Sequence, residues 1–462
     1  MRHVMALVGS RGDVQPALAV ALELRRRGHE VVTGVAPNLV PLAARLGLDP
    51  VPLGIDSAAL LGSDLVRRDM RSAHPVRRVR ALRAVASAGW DELRTGLVAL
   101  LDDVGGADTV VTGLLGQEVA AAVAERRGLA MAALHYCPVR ANGVVSPVSG
   151  VRGPGATRAV WALGERVRWG LTRRAENAQR AELGLGATRV HLPTRLRDAG
   201  AVEIQAYDPA LAPGLVGEWG PRRPLTGFLA LDDDARARLG EAGAGSDAGL
   251  DGGLGLDGSL DGGLDAGLDS WLGDGEPPVY VGFGSMPVAD PAALLAAVDA
   301  ACADLGVRAL VSAGWNDFSG AAGTSGPGDT SGPGDAAGPD AKRVRVVGAV
   351  DHAAVLPRCR AAVHHGGAGT TAAALRAGLP AVVGWYSADQ PMWGDLLRGA
   401  GVGVARRAST LTQPGVLAGA LAEVLDEATA ARAAALGARL VPPGEAVAAA
   451  ADAIAGTQRR QA

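Results

Sequence analysis

A chain of 462 residues, 48% hydrophobic and 20% charged, is long enough for two domains with separate cores. Its net charge of −3 gives no reason to expect nucleic acid or an acidic membrane as partner. No run approaches the roughly 18 apolar residues of a bilayer span, and Cys137, Cys302 and Cys359 have neither metal-ligand nor redox spacing.

The N-terminal twenty residues lack a secretory apolar core, because Arg11, Asp13 and Gln15 interrupt it, so a soluble cytoplasmic protein is expected. His3–Val8 reads as a strand and Gly9-Ser10-Arg11-Gly12-Asp13 as its turn. Val14–Arg27 follows as a helix and Glu30–Gly34 as a second strand. This βαβ pattern predicts a parallel sheet with a ligand site at the carboxyl ends of its strands. No G-x-G-x-x-G follows the first strand, which removes the dinucleotide fingerprint.

Leu60–Arg94 is arginine-rich with a weak helical period. Thr109–Thr112 and Met131–Leu134 are further strands, the second feeding a polar loop, His135–Gly143. Trp161–Gly184 is helical, with Trp161 and Trp169 expected to pack. Asp232-Asp233-Asp234 is read as a helix N-terminus in preference to a metal site.

From Ala242 to Ser270 the composition shifts to Gly, Asp, Leu and Ala in LDGG-like units, the pattern of a flexible linker. A second domain then begins with the strand Val279–Phe283, the turn Gly284–Pro287 and the helix Pro291–Asp304. After the strand Arg308–Ser312, residues 319–341 carry the hexamer TSGPGD twice and are expected to be a disordered insert. Val344–Val347 resumes the sheet, and Gln413–Ala455 is an alanine-rich helical end.

The most informative stretch is Cys359–Ala405. It reads as strand, glycine turn, helix, strand, polar loop and helix. The turn His364-His365-Gly366-Gly367-Ala368-Gly369-Thr370-Thr371 offers backbone N–H groups at the positive end of a helix, with no Cβ in the way. That is the chemistry of a diphosphate site, to which the threonine hydroxyls and the His365 imidazole add donors. A glycine turn used for packing alone is the competing reading.

HHGGAGTT, followed some twenty residues later by ADQPMWG, resembles the signature of nucleotide-sugar-dependent glycosyltransferases with the GT-B fold. The branch it resembles holds bacterial antibiotic and glycolipid glycosyltransferases and sterol glucosyltransferases. GSRGDVQP at Gly9–Pro16 and VYVGFGSMP at Val279–Pro287 extend the likeness to both halves, in the family's order.

The resemblance implies two Rossmann-like doubly wound α/β domains facing across a cleft, with a C-terminal helix crossing back to the first. The expected boundaries are an acceptor-binding domain at 1–225, a linker at 226–275, a nucleotide-sugar domain at 276–435 and a tail at 436–462. It also implies an inverting transfer of a hexose from a UDP- or dTDP-linked donor to a hydroxyl of a small natural product or glycolipid. No cofactor, metal, nucleic acid or integral membrane segment is expected.

Ser285, His365, Gly366, Gly367, Gly369 and Thr370, with Ser10 and Arg11, are the expected diphosphate ligands. Asp389 and Gln390 would hold the donor sugar, and Trp315 and the backbone at Val350 the nucleotide base. Asp13 is the expected general base. Carboxylates ordinarily titrate near 4, so proximity and a late proton transfer would have to compensate. His135 is the rival base, and Asp13 as a mere helix cap is the plain alternative. A nucleotide-sugar 2-epimerase of the same fold, a sterol glucosyltransferase and a non-catalytic nucleotide-sugar binder are the other readings.

Overall fold

The structure is a computed structural model that describes residues 1–57, 59, 75–240, 266–284, 286–314, 316, 318 and 342–457. The chain divides into two compact units, Met1–Ala235 with Val441–Ala462, and Arg236–Leu440.

The first unit is built on a six-stranded sheet of order β3-β2-β1-β4-β5-β6, every neighbouring pair parallel. Its strands are β1 (Arg2–Leu7), β2 (Glu30–Val35), β3 (Pro50–Pro52), β4 (Thr109–Thr112), β5 (Ala130–His135) and β6 (Val202–Gln205). β4 and β5 are buried along their whole length, as strands covered by helices on both faces must be. Val4, Ala6, Val110, Val119, Val123 and Leu97 form the centre of one apolar layer.

The second unit repeats the design with β7 (Val279–Gly282), β8 (Ala309–Ser312), β9 (Val344–Val347), β10 (Ala361–His364), β11 (Ala381–Trp385) and β12 (Gly403–Arg407). Its parallel sheet has the order β12-β11-β10-β7-β8-β9. Counted from its own first strand this is the same doubly wound order, 3-2-1-4-5-6, read from the other edge. Each unit therefore has a switch point where the chain reverses direction along the sheet: between β1 and β4, and between β7 and β10. Ligands bind at the carboxyl ends of strands at such points.

Two departures from the sequence reading have physical reasons. The first helix begins at Arg11, three residues earlier than Val14, because Ser10 is its N-cap. The stretch read as linker as far as Ser270 ends sooner: Ala266–Gly273 is a helix whose Leu268 and Leu272 are buried in the second core. The long helix Pro75–Asp103 takes in part of the arginine-rich segment. The insert at 319–341 and residues 241–265 lie outside the described residues. All three cysteines are free and buried, and burial pushes the Cys302 and Cys359 thiols up to about 12.

The helix Asp233–Arg238 starts where the aspartate triplet predicts, with Asp232 Oδ1 accepting the Ala235 amide at 2.8 Å. The final helix, Pro443–Ala455, packs on the helix Arg11–Arg26 of the first unit. No helix among the described residues is long and apolar enough to cross a membrane.

Candidate active site

At the first unit's switch point, β1 ends and the chain turns through Gly9 into the helix Arg11–Arg26. Gly9 has φ +123°, and a Cβ there would lie 2.6 Å from Asp13 Oδ2, so only glycine admits the aspartate. Asp13 stands in the helix's first turn, and its Oδ2 accepts both the Ser10 amide and the Ser10 hydroxyl, each at 2.8 Å. The pair forms a capping box, with an aspartate in the place usual for Glu. Ser10 thus directs both donors at Asp13. Arg11 Nε binds Gln15 Oε1 at 2.6 Å.

Asp13 remains half-buried at the end of β1, whereas His135 is fully buried. Gln205 Nε2 donates to His135 Nδ1 at 3.2 Å, which assigns the ring proton to Nε2, 3.4 Å from Gln117 Oε1. Around it Arg140 binds Gln117 Oε1 at 2.6 Å and pairs with Glu203, while Arg223 Nε meets Glu203 Oε2 at 2.7 Å. Burial first, then the positive charge of Arg140, holds the His135 pKa well below the ordinary imidazole value. The structure therefore gives the rival base a structural place, as the centre of a satisfied polar network.

Tyr136, the next residue, has a buried hydroxyl with no hydrogen-bond partner, and burial and the Asp13 charge raise its pKa. Sequence reasoning saw only a polar loop there. Glu203 and Gln205 were missed altogether, because nothing local distinguishes a strand polar residue that is buried from one that is not.

The second unit's switch point holds the glycine turn. His364 ends β10, and its Nδ1 accepts the Gly366 amide at 3.0 Å, so its proton sits on Nε2, which is buried without a partner. Gly366, at φ +86°, leaves no room for a Cβ, which would fall 2.6 Å from Val383 Cγ1. Gly367 is the N-cap of the helix Ala368–Arg376, and a Cβ on it would strike His365 Nε2 at 2.4 Å. The His365 ring thus lies over the helix start, with its Nδ1 buried and unpartnered.

Gly369 differs from these two. It is exposed, and a Cβ on it would meet nothing within 4 Å. Packing does not explain that glycine. Thr370 is half-buried, while Thr371 is wholly buried, so of the two threonines only Thr370 is placed for an outside ligand. Burial pulls His365 down to about 4 and His364 to about 3, so both rings are neutral at pH 7 and each carries one N–H.

The neighbouring strand ends close on this turn. Gly284, after β7, lies against His365, and Gly314, after β8 at φ +58°, is so near Gly284 O that a Cβ would be 2.4 Å away. Ser285 and Trp315 lie outside the described residues. Val350 is a half-buried residue packed against the core that contains Leu310 and Leu356.

After β11 the loop Tyr386–Asp389 is tightly wound. Ala388 is the one non-glycine with positive φ, +59°, among the described residues. Gln390 causes the winding: its Oε1 accepts the Tyr386 amide at 2.7 Å and the Ser387 amide at 3.2 Å. Its carbonyl is therefore used by the loop itself, and only the amide nitrogen is left to donate outward. Asp389 Oδ2 accepts the indole N–H of the buried Trp393 at 2.9 Å, and burial raises its pKa. Among the described residues no group of three or more His, Cys, Asp or Glu stands together as metal ligands would.

Two doubly wound units of identical strand order, one with a glycine turn opening a helix at its switch point, define a protein of the GT-B class. Residues 3–84 match the N-terminal domain of glycosyltransferase family 28, and residues 330–442 the C-terminal domain of the erythromycin biosynthesis protein CIII-like family. An uncharacterised glycosyltransferase of Mycobacterium tuberculosis is 38% identical over all of both chains. The vancomycin aglycone glucosyltransferase of Amycolatopsis orientalis is 29% identical over 97% of this chain and 96% of its own. The chain belongs to this glycosyltransferase family.

Solved structures agree on the fold. The glycosyltransferase of kitacinnamycin superposes with a TM-score of 0.66 at 17% identity, covering 99% of each chain. The glycosyltransferase VinC, in complex with dTDP, has a TM-score of 0.59 at 19% identity over 98% of this chain and 100% of its own.

Proposed function

We propose that this glycosyltransferase moves a hexose from a UDP- or dTDP-linked donor to a hydroxyl of a small natural product or glycolipid, with inversion and without a metal. One observation carries the reading: the turn at 365–370 combines first-turn amides, a glycine whose missing Cβ serves no packing purpose, and a neutral imidazole ring lying over the helix start. Such a set of neutral donors at a helix start stabilises the charge that develops on a departing diphosphate.

The reaction forms a bond from the acceptor oxygen to the anomeric carbon as the bond to the diphosphate breaks. Asp13 takes the acceptor's proton, and Ser10 holds its carboxylate in the orientation that transfer needs. Asp389 and the Gln390 amide nitrogen hold hydroxyls of the donor sugar. The relationship to a vancomycin aglycone glucosyltransferase and the likeness to a structure in complex with dTDP support a small-molecule acceptor and this class of donor.

The test is donor turnover with UDP-glucose and dTDP-glucose, before and after EDTA, over a panel of hydroxylated acceptors. Activity kept after chelation is expected. Activity that returned only with magnesium or manganese would overturn the metal-free clamp. A change in the sugar with no acceptor present would identify an epimerase.

A further inference from the structure

The helix Pro154–Glu182 is long, and its middle is bare. Its inward side is set by Thr157, Trp161, Glu176, Gln179 and Arg180, all buried. On the opposite side Leu163, Val167 and Leu171 recur every four residues and are 61%, 54% and 36% exposed. At helical spacing these form one apolar stripe facing away from the protein.

Of the ten large hydrophobic residues that the described chain exposes, Leu163, Val167 and Leu171 are three, and Leu115, Val144, Val148, Val190 and Val216 are five more. The segments bearing those five pack against other sides of the same helix. Trp161 Nε1 donates to Val145 O at 2.8 Å, Arg158 pairs with Glu218, and Arg168 pairs with Glu118. Asn177 exchanges two hydrogen bonds with Thr188, at 2.8 and 3.1 Å. Exposed apolar side chains are normal when scattered; three aligned on one bare face of a single helix mark an interaction surface.

Charge says what the surface meets. Arg166 and Arg173, seven residues apart, flank the stripe on one side, and Arg174 falls within it. All three are exposed and make no ion pair or hydrogen bond among the described residues. Glu165 is the one acidic residue between 154 and 175. A second copy of this chain on this face would oppose one arginine row to another, with no acidic row to match it. A helix with an apolar stripe edged by unpaired arginines fits the interface of an anionic bilayer, where the aliphatic groups enter the acyl boundary and the guanidinium groups meet phosphates.

We propose that the exposed face of the helix Pro154–Glu182 is a peripheral docking surface for anionic membrane. The net charge of −3 conceals it, because the acidic residues that balance these arginines lie elsewhere in the chain.

The test is co-sedimentation of the full chain with vesicles of phosphatidylcholine alone and of phosphatidylcholine with phosphatidylglycerol, at low and high salt. Capture by the anionic vesicles only, falling with salt, is expected. The variant Arg166→Gln/Arg173→Gln/Arg174→Gln should bind on the order of 100-fold more weakly. Leu163→Glu/Val167→Glu should not be captured, with its thermal midpoint unchanged because both sites are exposed. No capture at low salt, or equal capture by neutral vesicles, would overturn the proposal. So would a dimer in solution that the glutamate pair dissociates, which would assign the face to a second copy.

Discussion

Asp13 holds two positions at once, and they are compatible. As the third residue of the helix Arg11–Arg26 it closes a capping box with Ser10, and as a half-buried carboxylate at the end of β1 it stands at a switch point. Asparagine can present its carbonyl oxygen to the same two donors, so Asp13→Asn should keep most of the cap. If Asp13 is the base, turnover falls by about 10²–10⁴ with donor affinity nearly unchanged. Normal turnover in a folded Asp13→Asn would leave Asp13 with the cap alone. His135→Ala is a poor control, because it strips a partner from Gln205 and Gln117 in a sealed network and should destabilise by about 1–3 kcal/mol. The base candidate was legible in the sequence from the turn it occupies. The burial of His135, and the commitment of Ser10 and Gln390 to their own loops, were not, since these depend on what other elements bring alongside.

At the scale of elements, the glycine turn separates packing from binding. Gly366 and Gly367 are required by Val383 and by the His365 ring, so substitutions there disturb the fold and report little about ligands. Gly369→Ala introduces a methyl group into open space and replaces a poor helix former, so the folded state should be unharmed or slightly more stable. If a diphosphate approaches that backbone, the methyl group weakens at least one charge-assisted hydrogen bond, and donor affinity drops by about tenfold or more. Titration of UDP and dTDP into the variant decides it, and unchanged affinity would move the anion away from Gly369. The turn was readable because glycines, histidines and threonines cluster in few residues. The strands that escaped notice are those whose composition hides them: β3 is a three-residue Pro-Val-Pro, β12 ends in two arginines, and β6 carries Glu203 and Gln205 into a buried network. The helix Ala266–Gly273 was lost in a compositional trend set by the residues before it.

Over the whole molecule, titration and chain connectivity make separate predictions. His3 and His364 are fully buried and are pulled down to about 4 and about 3, chiefly by burial. Between the free-imidazole value near 6.5 and those values the unfolded chain binds more protons than the folded one, so stability is complete above 6.5 and declines as pH falls. The slope is about 1.4 kcal/mol per pH unit for each such histidine. Glu23, held down to about 2 first by its hydrogen bond to Arg26, keeps its contribution until the pH drops below about 4.5. Urea midpoints measured between pH 6.5 and 4.5 therefore isolate the histidines, and a flat profile there would contradict their burial as neutral rings.

The C-terminal segment tests the division of the chain most directly. The resemblance implied that the tail returns to the first domain, and the boundary of the unit falls at Val441. The Val441 amide donates to Asp208 Oδ2 at 2.8 Å, and Ala446, Ala450 and Ile454 are completely buried. Gly227, at φ +95°, lets the tail approach so closely that a Cβ would lie 2.7 Å from Val441 Cβ. Arg27, at the end of the first helix, pairs with Asp452. Ending the chain at Leu440 should thus leave the second unit able to bind nucleoside diphosphate while the first loses about 4 kcal/mol or more. Burial of Ile454 and Val447 alone accounts for roughly that amount. Gly227→Ala should reproduce part of the loss in the full chain through the collision with Val441 and its unfavourable φ. Calorimetry with and without dTDP separates the two units, since ligand raises only the transition of the unit that binds it. If truncation instead lowered the ligand-responsive transition and spared the other, the tail would belong energetically to the second unit.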